Sequence, residues 1–287
     1  MPTTEMSSGT ESPRSRAAAQ ALTTAVDMAA KAYQRDGKLS GIATGLHDLD
    51  AKMGGLQHSD LIIVAGRPGM GKTALATNIA YNVAKAWQGE VRPDGHITTV
   101  NGGIVGFFSL EMSAEQLATR IIAERTGIPS STIRRGGISE QDFEVIRDVS
   151  LELQTMKFFV DETGGLSIAQ LAARARRLKR QRGLDLLVID EAGQFSLANT
   201  LAVSIAADRL LLLGDPQQLP EVSQGTHPEP VDQSALGWLM DGRATMPAEP
   251  PSVGSRVTSR LATRLWPANA AARNPMNEIS RIWIPST

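Results

Sequence analysis

Cysteine is absent from the 287 residues, which excludes disulfides, thiolate metal sites and a cysteine nucleophile. That absence suits a reducing compartment, and the expected location is the cytoplasm. Aromatic residues make up only 4%, too few for the stacking platform that single-strand binders use. Neither sign of charge dominates: 29 Lys and Arg stand against 30 Asp and Glu, so any nucleic-acid contact must come from a local patch. Long hydrophobic runs are missing too. Leu61–Val64 and Leu210–Leu213 are far too short to cross a bilayer, so no membrane partner is expected, and no leader-like n-region and apolar stretch open the sequence. With 41% hydrophobic residues the chain is still long and apolar enough to bury a sizeable core, as one large domain or two small ones.

Residues 1–16 are rich in Ser, Thr, Pro and Glu and read as a disordered start. A helix is expected over 17–38, with Leu22, Val26, Ala29 and Tyr33 at helical spacing; a docking role and a frayed terminal helix account for it equally. From Gly41 to Asp215 short apolar runs alternate with helical patterns, within an ATPase domain expected over 39–242. The runs are Leu61–Ala65, Ile104–Phe108, Phe158–Val160, Leu184–Ile189 and Leu210–Leu213. Because they are continuously apolar, they predict an α/β fold with a mostly parallel sheet covered by helices on both faces. Ser113 with Gln116 and Ser139 with Asp142 have the spacing of capping boxes, and Ser167 precedes another helical run. Gly89–Gly103 reads as a surface excursion or hairpin. Residues 243–287 hold six prolines, six arginines and two acids without a helix or strand period, and read as a poorly structured basic tail.

Gly66-Arg67-Pro68-Gly69-Met70-Gly71-Lys72-Thr73 fits G-x-x-x-x-G-K-[ST] between an apolar strand and a helix. In that setting glycines let backbone amides converge on phosphate oxygens, and the helix N-terminus adds its dipole. Lys72 reaches the β- and γ-phosphates and the Thr73 hydroxyl ligates Mg2+. ATP with Mg2+ is therefore the expected cofactor. Leu186-Leu187-Val188-Ile189 delivers Asp190 to the end of a buried strand, where a carboxylate holds the metal through water.

Two carboxylates qualify as the base that orients the attacking water. Glu111 follows the strand ending at Phe108, and Glu191 directly follows Asp190. Downstream, Leu210–Leu213 leads into Gly214-Asp215-Pro216-Gln217-Gln218. Gln217 or Gln218 is placed to sense the γ-phosphate, although Pro216 and Pro220 also suit a plain turn. Arg174, Arg176, Arg177, Lys179, Arg180 and Arg182 crowd one helix. A phosphate-backbone contact and a solvated cationic face both explain them, and the second is the simpler reading. The four histidines have no ligand spacing.

Residues 17–190 resemble the C-terminal ATPase domain and part of the linker helix of DnaB-type bacterial replicative DNA helicases. The resemblance runs through Thr44-Gly45-Leu46, Leu49-Asp50, Gly54-Gly55-Leu56, the phosphate loop, Phe107-Phe108-Ser109-Leu110-Glu111-Met112 and the strand ending at Asp190. It implies a RecA-like P-loop NTPase, a hexameric homo-oligomer around single-stranded DNA, and Glu111 as the catalytic glutamate. Beyond Asp190 it stops. Residues 186–242, with Asp190-Glu191-Ala192-Gly193-Gln194 and Gly214-Asp215-Pro216-Gln217-Gln218, resemble motifs II and III of superfamily-one DNA helicases instead. The chain thus resembles a chimera of two helicase families, switching near 190. In both, the next strand lies beside the one carrying the phosphate loop, so Leu210–Leu213 is expected there. The first family's DNA loops and trans-acting arginine are not recognisable, which leaves unwinding in question. An ATP-binding assembly module without motor activity is the alternative.

Overall fold

The computed structural model describes residues 39–215, Val26 and, for the backbone, 280–285. In chain order the first elements are α1 (His47–Met53), β1 (Asp60–Ala65), α2 (Lys72–Lys85), β2 (Gln88–Val91), β3 (Ile97–Asn101) and β4 (Val105–Phe108). Then follow α3 (Ala114–Thr126), α4 (Ser130–Arg135), α5 (Glu140–Thr155), β5 (Phe158–Asp161), α6 (Ile168–Arg182) and β6 (Leu186–Ile189). A short 3-10 turn (Ala192–Gln194), α7 (Leu197–Ser204), β7 (Arg209–Gly214) and β8 (Ser280–Pro285) complete the series.

The main sheet runs β5-β4-β6-β7-β1-β8, and every pairing in it is parallel. Successive strand residues face opposite sides, so each apolar run feeds two cores. Ile62, Val64, Val105, Phe107, Leu186, Val188, Leu211 and Leu213 pack against α2 and α3, through Ala76, Ile79, Ala80, Val83, Leu117 and Ile121. Ile63, Ala65, Phe108, Leu187, Ile189, Leu210 and Leu212 pack against α6 and the segment beyond β6, through Leu171, Ala172, Ala175, Phe195 and Val203. The path from β1 through β4 to β5 thus uses helices on one face, and the return through β6 to β7 uses the other. Such a reversal leaves the ligand crevice at the C-terminal ends of the strands.

Serine caps start four of these helices, with Ser196 accepting the Asn199 amide at the start of α7, and three of them are complete boxes. Ser113 with Gln116, Ser139 with Asp142, and Ser167 with Gln170 each form a complete capping box. β2 and β3 pair as the antiparallel hairpin expected over 89–103. β7 lies between β6 and β1, beside the strand that carries the phosphate loop.

Three elements were not expected. α1 and α4 are seven and six residues long, too short to show a helical period, and neither has a side-chain N-cap. Six residues of the tail that reads as poorly structured form β8, whose backbone pairs from Asp60↔Ser280 to Ala65↔Pro285. This pairing occupies the otherwise open edge of β1. The expected disordered start, the helix over 17–38 (Val26 apart) and the rest of the tail lie outside the described residues.

Asp50 fastens the segment before β1 to the body. Its buried carboxylate accepts hydrogen bonds from the Thr44 amide and hydroxyl, both at 2.8 Å, and from the Gly45 amide at 3.1 Å. The Asn82 side-chain amide on α2 donates to the Thr44 carbonyl at 3.0 Å. Gly45 has φ +77°, and a Cβ there would meet the Asn82 amide nitrogen at 2.4 Å, so only glycine suits this position.

Candidate active site

The loop from Gly66 to Gly71 joins the C-terminal end of β1 to the N-terminus of α2. Its start is tied to the neighbouring strand by the Gly66 amide donating to the Gly214 carbonyl at 3.3 Å. Gly69 and Gly71 have φ of +78° and +85°, the left-handed conformation that lets consecutive amides turn toward one centre. Arg67, Pro68, Gly69, Met70 and Gly71 are exposed. Gly71 occupies the N-cap of α2 and supplies no side-chain acceptor, so the first amides of this 14-residue helix are left for a ligand.

Lys72 is only 8% exposed, and its ammonium is folded back onto the loop. It donates to the Gly66 carbonyl at 2.7 Å and to the Arg67 carbonyl at 3.2 Å. These carbonyls hold the cation over the concave side of the loop, where a phosphate oxygen is a stronger acceptor.

Asp190 stands at the end of β6, two strands away from β1, and is 2% exposed. Its amide donates to the Phe108 carbonyl at 3.0 Å, which fixes it against β4. Its carboxylate accepts the Glu191 amide at 3.0 Å, and the Thr73 hydroxyl lies close enough to lower its proton affinity. Burial pushes its proton affinity above that of an ordinary aspartate; the hydrogen bonds from Thr73 and Glu191 oppose this, the Glu191 charge adds to it and Lys72 subtracts. Lys72, Thr73 and Asp190, read separately from the sequence, therefore meet at one place. A hydroxyl and a buried carboxylate in contact are the hard-oxygen pair that Mg2+ takes alongside phosphate oxygens and water, so the residues fit that ion. Among the described residues no larger group of His, Asp and Glu could hold a metal, and none is needed here.

The two glutamates differ. Glu111 lies past the end of β4 and is exposed. The turn carrying it is fixed by the buried Ser109, whose hydroxyl accepts the Met112 amide at 3.1 Å and whose amide donates to the Asp161 carbonyl at 2.9 Å. Glu191 is half-buried and adopts φ +57°, a left-handed conformation in a non-glycine residue. Gln217 lies outside the described residues; the structure follows its strand only to the buried Asp215.

The sequence missed a further polar group at this edge. Arg174 on α6 donates to both oxygens of Asp161 at 2.9 and 2.8 Å and to the Thr163 hydroxyl at 2.6 Å. Burial raises the proton affinity of Asp161, but the bonds from Arg174 and Thr163 outweigh it and the net shift is downward. Nearby, the Glu162 carboxylate accepts the Ala114 amide at the N-terminus of α3. Only an acid directly after a strand end hinted at either contact.

The family described as the DnaB-like helicase C-terminal domain matches residues 41–200. The replicative DNA helicase DnaB of Rickettsia bellii is 42% identical over 160 residues, which is 56% of this chain and 31% of that protein. The replicative DNA helicase DnaC of Bacillus subtilis is 37% identical over 158 residues, 55% of this chain and 32% of that protein. The chain spans about a third of the length of these curated relatives. In fold it is similar to a solved structure described as an ATPase domain, with a TM-score of 0.54 and 21% identity over 68% of this chain and 70% of that one. A DnaB-like replicative helicase studied with primase gives a TM-score of 0.55 and 20% identity, over 75% and 54% of the two chains. No helix among the described residues is long and apolar enough to cross a membrane.

Proposed function

The chain belongs to the DnaB-like helicase C-terminal domain family, and on that premise we propose that it binds Mg·ATP and hydrolyses the β–γ bond as the ATPase module of a replicative DNA helicase. The observation that carries this reading is the meeting of Lys72, Thr73 and Asp190 at the mouth of the phosphate loop. The amides of Gly69–Thr73 and the Lys72 ammonium hold the phosphates, and Arg67 at the exposed rim leans toward them. Thr73 and Asp190 hold Mg2+, which when bound neutralises charge developing on the phosphate oxygens. Glu111 orients the attacking water and takes its proton, with Glu191 as the other candidate. Gln217 reads the γ-phosphate and passes its loss to the segment beyond β7.

In line with the resemblance to replicative helicases, the proposed module works as a hexameric homo-oligomer on single-stranded DNA in the cytoplasm. The segment 186–242 supplies the strand beside β1 in the manner of superfamily-one motifs II and III, so nucleotide chemistry survives the change of pattern near 190. The domain limits follow: a linker helix over 17–38, the ATPase domain over 39–242 and a basic tail beyond.

A second reading has its own support. The family match ends at residue 200, and the DNA loops that the resemblance implies are not recognisable in the sequence beyond it, which favours a nucleotide-binding assembly module without motor activity. Steady-state phosphate release by the full chain, with and without single-stranded DNA, separates the two. Turnover stimulated by DNA supports the ATPase reading. Tight binding of a non-hydrolysable ATP analogue with no turnover overturns it in favour of the module.

A further inference from the structure

α6 has a composition that its place in the fold does not explain. Its buried side, Leu171, Ala172 and Ala175, is fully accounted for by the second core. Its exposed side carries six cations and the helix contains no acid. Arg174 is neutralised by Asp161 at one end, and Lys179 by Asp208 at 2.8 Å at the other. Arg176, Arg177, Arg180 and Arg182 have no acidic partner among the described residues.

A solvated helix face ordinarily interleaves both signs at one-turn spacing. Here Arg176 and Arg180 stand one turn apart with like charge, and Arg177 lies beside them, so the bare helix works against itself. The helix dipole favours cations in the last turn and accounts for Arg180 and Arg182, but it gives nothing to Arg176 and Arg177 at mid-helix. What relieves all four is an external polyanion. α6 leads from the C-terminal end of β5 to the start of the parallel β6, so its later turns lie toward the N-terminal ends of the strands, away from the phosphate loop at the C-terminal end of β1. The stripe is therefore not an annexe of the nucleotide site.

We propose that the exposed face of α6, through Arg176, Arg177 and Arg180, binds the phosphodiester backbone of a nucleic-acid strand on a surface separate from the ATP site. Arginine suits the task, since its planar fork donates in pairs to phosphate oxygens. The helix carries no aromatic residue, so the contact reads phosphates and not bases. Binding is accordingly indifferent to sequence and steep in salt. Choosing nucleic acid among polyanions rests on the ATPase-module reading above; the charge argument does not.

The test is fluorescence anisotropy of a labelled oligothymidylate with the full chain between about 50 and 200 mM salt, the range over which counterion release is well resolved. The combined variant R176Q/R177Q/R180Q is expected to bind at least about tenfold more weakly at the low end and to lower the log–log salt slope by about 2, since each single-strand phosphate contact contributes about 0.7. The matching R176K/R177K/R180K variant keeps the slope. An unchanged slope in the glutamine variant, or no oligonucleotide binding by the unmodified chain, overturns the proposal. So does capture by phosphatidylserine vesicles that the glutamine variant loses while its oligonucleotide binding stays intact. Calorimetry of a non-hydrolysable ATP analogue on the same samples reports on the nucleotide site alone, so failure there counts against the ATPase reading and not against this surface.

Discussion

The Thr73 hydroxyl lies beside the Asp190 carboxylate and lowers its proton affinity, linking the first turn of α2 to the end of a strand two places away in the sheet. The pair proposed to hold the metal is thus together before any ligand arrives. On that reading Thr73 has two separable duties, steadying Asp190 and ligating Mg2+.

Removing the hydroxyl should be costly although the shape is kept. Thr73→Val is expected to weaken Mg2+-dependent binding of a non-hydrolysable ATP analogue by about 10- to 100-fold, the range for losing one hydrogen bond to a charged group. Thr73→Ser should restore it. Calorimetric titration with and without Mg2+ measures both, and an equal loss in the two conditions would show that the hydroxyl acts on the loop and not on the metal.

Asp190 makes a prediction about pH. Its folded-state proton affinity is raised, chiefly by burial. For an acid shifted upward, the folded protein holds the proton where the unfolded chain has released it, so stability rises as pH falls through the folded value and the ionised group is a liability above it. Asp190→Asn should therefore raise the Tm of the ligand-free chain at neutral pH and flatten its pH dependence on the acid side of neutrality. The same change should abolish Mg2+-dependent turnover. A Tm that drops at neutral pH would mean that the hydrogen bonds from Thr73 and Glu191 outweigh burial.

How legible this was depended on the range of each signal. Lys72, Thr73 and Asp190 were visible because a glycine-lysine-threonine loop and an apolar run ending in Asp are local patterns, and two such patterns constrain each other through the sheet. The continuous apolar runs gave the two-faced sheet for the same reason. The Arg174–Asp161–Thr163 contact was invisible: it joins residues 13 and 11 apart through the fold, and no spacing announces it. β8 was hidden because six residues among prolines carry too little pattern, and its place is set by an open edge more than two hundred positions earlier. Asp50 stood out only as part of a resemblance, while its work as an acceptor for Thr44 and Gly45 is a matter of geometry.

That geometry predicts a strong stability effect away from the nucleotide. Asp50→Ala would leave the Thr44 amide and hydroxyl and the Gly45 amide without their acceptor in a mostly buried place. Hydrogen bonds to a charge are worth about 1.5–3 kcal/mol each and are not additive, so a loss of about 3 kcal/mol is expected. For a domain of this size that corresponds to a fall of about 6–12 °C in Tm, readable by circular dichroism. Asn82→Ala removes only the tie from α2 to the Thr44 carbonyl and should cost about 1 kcal/mol. If the two variants melt together, the clasp acts through α2 and not through the loop it caps.

The two glutamates can be separated by combining turnover with stability. If Glu111 is the base, Glu111→Gln should lower kcat by about 10²–10⁴ while analogue affinity stays within about twofold, because a base acts on the water and not on the phosphates. Glu191→Gln should cost less than about tenfold, since on this assignment Glu191 acts on Asp190 only through its charge and its amide. Glu191→Gly adds a control that no base assignment can mimic. The residue holds φ +57°, where a side chain costs about 1 kcal/mol and glycine costs little, so this variant should melt higher than the unmodified chain even as it loses the carboxylate. Should Glu191→Gln and Glu191→Gly both abolish turnover while Glu111→Gln leaves it intact, the water is oriented from the end of β6, and the strained conformation at Glu191 is what aims the carboxylate.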